Sequence, residues 1–185
     1  ISPNPDLDLD DVGIPENRAW EIYQPFIVRS MVRAGVPRHR AVQEVKTKSP
    51  LARQAMLKTM DSRPVIINRA PVLHRYGMMA FRPRLVKDDT MHVNPFIVGG
   101  FGADFDGDAM QFHVPSTDEA AQEAAEKMLP SRNLLSPANF KAHQLPSKEF
   151  VGGLYSATAR VDKKRPPKVF RTKRDAIAAY RRGEI

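Results

Sequence analysis

The spacing of apolar residues changes several times along the chain. From Glu16 onward, Trp20, Ile22, Tyr23, Phe26, Ile27, Met31 and Val32 recur at roughly helical intervals, which predicts an amphipathic helix. Pro25 is expected to kink or interrupt it, and Gly35 with Pro37 to end it. A second helical stretch, polar and basic, is predicted from Arg38 to about Met60, broken near Ser49-Pro50. From Arg63 to Pro115 the pattern shortens to β-like runs between turn residues: Val65–Asn68, Gly77–Val86, Met91–Val98 and Met110–Val114. That spacing suits a small barrel or sandwich. Ahead of Glu16, Pro3, Pro5 and Pro15 with alternating Leu7 and Leu9 predict an extended segment.

Helical signals return after Pro115. Ser116-Thr117-Asp118-Glu119 has the form of a capping box in which the Ser116 oxygen takes a free amide and Glu119 reaches back, ahead of a helix over Ala120–Leu129. Residues 130–146 read as a loop, Ser147–Ala159 as a helix, and Lys163–Lys168 as an exposed turn. Thr172 and Asp175 cap a last helix that runs to Arg182 and stops at Gly183.

Composition narrows the classes. A length of 185 residues suits one domain or slightly more. The absence of cysteine excludes a disulfide framework, a thiolate zinc site and a cysteine nucleophile. No apolar run approaches the roughly 20 residues of a membrane span, and the first residues lack the basic flank and apolar stretch of a signal peptide. The net charge of +8 hides an asymmetry. Residues 1–16 hold five acids (Asp6, Asp8, Asp10, Asp11 and Glu16) and no base, leaving all 29 bases to the rest of the chain. A surplus of this size favours a polyanionic partner, nucleic acid being the commonest, although a solvated basic face or an acidic subunit would also suit it.

The chemistry concentrates in Gly102-Ala103-Asp104-Phe105-Asp106-Gly107-Asp108. Three carboxylates within five residues repel each other unless a cation compensates. In a straight strand the first and third would stand roughly 13 Å apart. In a helix Asp106 would face away from Asp104 and Asp108. Convergence therefore requires a tight loop, for which Gly107 supplies the backbone freedom. Hard oxygen ligands select Mg²⁺ or Mn²⁺ over zinc. A calcium-binding EF-hand would need Gly at its sixth position and Glu at its twelfth, where counting from Asp104 finds Ala109 and Pro115. An acidic surface turn is the plainer alternative. Carboxylate-held Mg²⁺ in a basic chain points to phosphoryl or nucleotidyl transfer by two-metal chemistry. His113, in an alternating strand, is expected to be structural.

Residues 102–115, Gly-Ala-Asp-Phe-Asp-Gly-Asp-Ala-Met-Gln-Phe-His-Val-Pro, resemble the Asn-Ala-Asp-Phe-Asp-Gly-Asp signature of the largest subunit of multisubunit DNA-directed RNA polymerases, β′ in bacteria. Pro64–Arg75, Asn133–Asn139 and Leu145–Tyr155 resemble further blocks of that family, in the same order. The opening, Ile1–Pro15, is closer to archaeal and eukaryotic versions, and the Arg69-Ala-Pro71 block to bacterial ones. The resemblance implies an α+β fold: a double-psi β-barrel core with a helical insert and C-terminal helices. Residues 1–15 would enter the barrel, 16–62 form the insert, 63–115 carry the barrel strands and metal loop, and 116–185 form the helical extension.

By the same resemblance, Asp104, Asp106 and Asp108 hold the catalytic Mg²⁺, and a second Mg²⁺ arrives on the nucleoside triphosphate. Arg69 reaches the ribose 2′-hydroxyl, Pro71 shapes that pocket, Gly102 stands where an Asn helps read the ribose, and Arg75 is a candidate nucleic-acid contact. Two departures stand out: Gly102 cannot donate the side-chain hydrogen bond of Asn, and Ala109 replaces the usual Gln or Glu. The implied partners are the second-largest, β-like subunit, the remaining parts of the β′-like subunit, DNA template, RNA transcript and nucleoside triphosphates. No membrane is involved, and the implied location is the cytoplasm of a prokaryotic or virus-infected cell.

The family's clamp, bridge helix and trigger loop are missing, so the chain reads as an internal piece that is inactive alone. Its mixed features fit a divergent source, a virus among them. Two alternatives stay open: an inactive nucleic-acid-binding or assembly module that keeps the barrel, and an RNA-templated double-psi-barrel polymerase.

Overall fold

The computed structural model describes residues 1–136, 140–146, 148–159 and 168–184. Helix α1, Glu16–Arg33, buries Ala19, Trp20, Tyr23, Ile27 and Met31 along one stripe. It runs through Pro25 without interruption, so of the expected kink or break the break does not occur. Pro25 is exposed, so the hydrogen bond it cannot donate is lost on the side of the helix where water can serve the free carbonyl. The helix ends at Gly35, where Val36 N returns to Met31 O at 3.0 Å.

The predicted break in the second stretch separates α2, Arg38–Lys46, from α3, Pro50–Ser62. Ser49 caps α3 by accepting from Ala52 N at 3.2 Å, and Pro50 occupies the first turn, where its missing N–H costs nothing. Both α2 and α3 pack on α1.

Among the described residues, six short strands form one mixed sheet in the order β1-β5-β2-β4-β3-β6: β1 Ser2–Pro3, β2 Asp11–Pro15, β3 Val65–Asn68, β4 Met78–Val86, β5 His92–Val93 and β6 Gln111–His113. The pairs β1/β5 and β2/β4 are parallel; β2/β5, β3/β4 and β3/β6 are antiparallel. Strand β2 is buried at all five residues, which takes the end of the acidic segment into the interior. There Asp10 accepts from Ser131 N and Oγ at 2.8 and 2.6 Å, and Asp11 pairs with Arg84 at 3.0 Å. Val12, Ile14, Tyr23, Ile27, Met56, Ile67 and Phe81 belong to one core shared by sheet and helices.

Arg63 joins the helices to the chain beyond the sheet. Its guanidinium donates to the carbonyls of Pro115 and Thr117 at 2.6 and 2.9 Å, pairs with Asp118, and lies 4.6 Å over the Phe26 ring. Its own carbonyl accepts from the buried Tyr23 hydroxyl at 2.8 Å. Burial pushes the Tyr23 phenol well above its ordinary pKa, opposed by the nearby Arg63 charge.

Two further expectations are corrected. The run Met91–Val98 is a strand only at His92–Val93, because the Asn94 side chain accepts from Phe96 N at 2.9 Å and its carbonyl from Ile97 N at 3.1 Å. That Asx turn starts the short helix α4, Val98–Phe101. At the start of α5, Asp118–Lys127, the cap is Thr117, which accepts from Ala120 N at 3.1 Å, and not Ser116. Shifting the cap by one residue lets the Thr117 carbonyl serve Arg63 as well.

The chain divides into two compact units, Ile1–Glu149 and Phe150–Ile185. Beyond α5, Leu135 and Ala142 form an isolated bridge in the first unit. Helix α6 spans Lys148–Ala159, and helix α7, Lys173–Arg181, lies in the second unit. Thr172 caps α7 as expected, accepting from Asp175 N at 3.2 Å. Ser147, the residues Pro137–Asn139 of the Ser-Pro-Ala-Asn block, and most of the Lys163–Lys168 turn lie outside the described residues. Among the described residues no helix is long and apolar enough to cross a membrane.

Candidate metal centre

The carboxylate loop is launched by the end of α4. Gly102 has φ of 61°, Ala103 N donates to Val98 O at 3.0 Å, and Gly102 N to Gly99 O at 3.3 Å. This is a Schellman closure, whose left-handed position favours glycine and, after it, asparagine. Beyond it the side chains alternate. Ala103, Phe105 and Met110 pack against the core, whereas Asp104 and Asp106 are exposed and Asp108 is half-buried. Gly107, at φ of 123°, makes the turn that brings the third carboxylate back.

One carboxylate oxygen from each of Asp104, Asp106 and Asp108 lies within 4.8 Å of the others. Three hard, anionic oxygens that close together on one loop fit Mg²⁺ or Mn²⁺, which prefer such donors, and do not fit a soft-ligand zinc site. Neighbouring groups shift the protonation of two of these carboxyls. The Asp104 carboxyl is held above its ordinary pKa, first by its hydrogen bond with Asp106, then by desolvation and the neighbouring charges. Asp108 moves the other way, because Arg69 and the Asp104 N–H bond its ionised form.

Strand pairing brings Arg69 to this loop. Asn68, last in β3, faces Gln111 of β6, donates to its side chain at 3.1 Å and stands 3.1 Å from His113 Nε2. The next residue, Arg69, reaches Asp108 with Nε to Oδ2 at 2.8 Å and Nη2 to Oδ1 at 3.3 Å. Four of the sequence-predicted residues, Arg69, Asp104, Asp106 and Asp108, therefore meet in one cluster. Gly102 adjoins it through the backbone. Pro71 is exposed in the loop after β3, and Arg75 turns onto Tyr76, 2.9 Å from its hydroxyl and 5.0 Å over its ring.

Sequence reasoning missed the supports of this cluster. Asn68 fixes the strand ends that carry Arg69 and Asp108; its one signal was a polar residue closing an apolar strand. Tyr76 stacks on His143 with ring centroids 3.9 Å apart, and both reach α4: the Tyr76 and His143 carbonyls stand 3.9 and 3.4 Å from where side chains would begin at Gly100 and Gly99. These pairs join residues distant in sequence, which no local pattern marks.

Comparison with known proteins gives two consistent findings. Residues 36–129 match the family described as RNA polymerase Rpb1, domain 2. Proteins named DNA-directed RNA polymerase subunit beta′ from Chlorobium luteolum and Chlorobaculum parvum are 37% and 38% identical over 100% and 97% of the chain. One from Chloroherpeton thalassium is 36% identical over 100% of it. The chain spans only 12 to 13% of the length of these relatives.

Proposed function

The chain belongs to the RNA polymerase Rpb1 domain 2 family, and on that premise we propose that it carries the catalytic metal loop of a DNA-directed RNA polymerase. The observation that carries this reading is the convergence of Asp104, Asp106 and Asp108 on one loop, each with an oxygen within 4.8 Å of the others. We read the six strands as belonging to a double-psi β-barrel, with residues 16–62 as its helical insert and 116–185 as a helical extension.

In this reading the three aspartates hold one Mg²⁺ and a second comes with the nucleoside triphosphate. Bound there, the ions supply an activated attacking oxygen and stabilisation of the leaving one. The protein's own share is positional. Asp104, Asp106 and Asp108 fix where the transcript's 3′ end meets the triphosphate. Gly107 holds their turn, and the alternation of Ala103, Phe105 and Met110 into the core keeps the loop from yielding to repulsion. Arg69, Pro71 and Gly102 lie on the side where the ribose of the incoming nucleotide is recognised, and Arg75 contacts nucleic acid. The remaining β′-like segments and a β-like subunit complete the site around a DNA template and RNA transcript, in the cytoplasm.

The test is template-directed nucleotide incorporation by the assembled polymerase carrying Asp106→Ala or the triple alanine variant. We expect incorporation to fall by at least about a thousandfold while the complex still assembles, the scale of losing preorganised charge at a reacting centre. Incorporation within tenfold of the unmodified enzyme would rule the assignment out.

A further inference from the structure

The two bonds between Arg69 and Asp108 are not equivalent. Oδ2 accepts from Arg69 Nε at 2.8 Å and also from Asp104 N at 3.2 Å. Oδ1 accepts from Arg69 Nη2 at the longer distance of 3.3 Å. A carboxylate oxygen offers two lone-pair directions, so Oδ2 has both engaged and Oδ1 keeps one free. A cation shared with Asp104 and Asp106 is therefore best received by Oδ1, the oxygen that Arg69 holds more loosely.

Charge sets the competition. Three carboxylates and one guanidinium leave the cluster at −2, which a single divalent cation would neutralise, yet that cation and the guanidinium repel each other across one carboxylate. The backbone gives neither partner an easy retreat. Arg69 follows Asn68, which is held by Gln111 and His113, and the Asp108 carbonyl accepts from Ile1 N at 2.8 Å. What can yield is the side-chain torsion that carries Nη2.

Resting on the reading of this loop as a metal site, we infer that Arg69 is a positioning residue that competes with the cation for Asp108. A cation on the free lone pair of Oδ1 repels Nη2 from that oxygen, converts the two-point ion pair into a one-point pair through Nε, and frees for a substrate hydroxyl the N–H that Nη2 now gives to Oδ1. Metal loading and hydroxyl recognition are thereby coupled through one guanidinium. Because linkage is reciprocal, a hydroxyl that engages Nη2 also favours the loaded metal site.

The experiment is a Mn²⁺ titration of the full chain, with free ion followed by electron paramagnetic resonance. It compares the unmodified chain, Arg69→Gln, Arg69→Lys and the Asp104/Asp106/Asp108→Ala variant. Arg69→Gln removes the charge and the fork, and is expected to bind Mn²⁺ about tenfold more tightly, the scale of one partly screened like charge nearby. Arg69→Lys keeps the charge but cannot span both oxygens, so it should bind several-fold more tightly and serves if Arg69→Gln fails to fold. Affinity in the folded variants equal to or weaker than in the unmodified chain overturns the competition, provided the unmodified chain still binds better than the triple alanine variant. If those two bind alike, the metal site itself falls, and this inference with it.

Discussion

At position 102 a backbone requirement coincides with a proposed chemical one. Gly102 closes α4 at φ of 61°, and a Cβ added there would meet no heavy atom within 4 Å beyond its chain neighbours. Asparagine is the non-glycine residue that best tolerates this left-handed conformation, so Gly102→Asn should fold with a loss of no more than about 1 kcal/mol. On the proposed reading, in which an amide at this position would add a donor beside the ribose, it should also sharpen the preference of the assembled enzyme for ribonucleotides over deoxyribonucleotides. Equal incorporation ratios before and after the change would argue against a ribose-reading role for this position. The carboxyls of Asp104 and Asp108 are shifted in opposite directions from the ordinary value, so their effects on stability have opposite signs. Asp108, held low first by Arg69, contributes stability present above the unfolded carboxylate pKa and lost as pH falls through its lower folded value. Asp104, held high first by its bond with Asp106, opposes folding once pH rises past the unfolded value. Asp104→Asn should therefore raise the melting temperature at neutral pH without divalent cation, and an unchanged or lower value would show that repulsion in the loop is already relieved.

At the scale of elements, the fold depends on a few long-range ties. Arg63, 8% exposed, connects α1, the end of α3 and the start of α5 through two carbonyls, Asp118 and the Phe26 ring. Arg63→Met would keep the stem, leave the Pro115 carbonyl without its donor and leave the Thr117 carbonyl with the Ala121 N–H alone. A loss of about 3 kcal/mol in chemical denaturation is expected; a change below about 1 kcal/mol would show that water replaces the guanidinium without cost. Thr117→Ala, which removes the observed cap of α5, should cost about 1 kcal/mol, whereas Ser116→Ala should be close to neutral. Much of this level was legible in the sequence. The apolar period of residues 16–33, the break at Ser49-Pro50 and the runs at 65–68 and 78–86 are local patterns, and the elements follow them. Less legible was whatever depends on a single competing hydrogen bond. Asn94 ends a strand that hydropathy would continue, and Thr117 displaces Ser116 as a cap because Arg63 takes its carbonyl. The candidate site was read more fully than its supports: the Asp-x-Asp-Gly-Asp spacing forces a loop, whereas the Arg69–Asp108 pair spans 39 positions and depends on strand register.

For the whole molecule, a small part of the charge asymmetry takes on a location. The acids of the opening segment are partly absorbed into the fold through Asp10 and Asp11, while Arg29, Arg33 and Lys58 line a groove of about 750 Å³ between α1 and α3. The first compact unit contains the whole sheet, the core and the carboxylate loop. A chain ending at Glu149 is therefore expected to unfold in one cooperative transition and to bind Mn²⁺ as the full chain does; a non-cooperative melt would show that the second unit is needed for folding. The same geometry makes the metal claim local enough to map. With Fe²⁺ in place of Mg²⁺ and a reductant and peroxide to generate hydroxyl radicals, the polypeptide should be cut around residues 102–110. Mg²⁺ should suppress that cutting, and it should vanish in the Asp104/Asp106/Asp108→Ala variant. Cleavage centred elsewhere in the chain, or cleavage that persists in that variant, would contradict the assignment of these three aspartates as the metal centre.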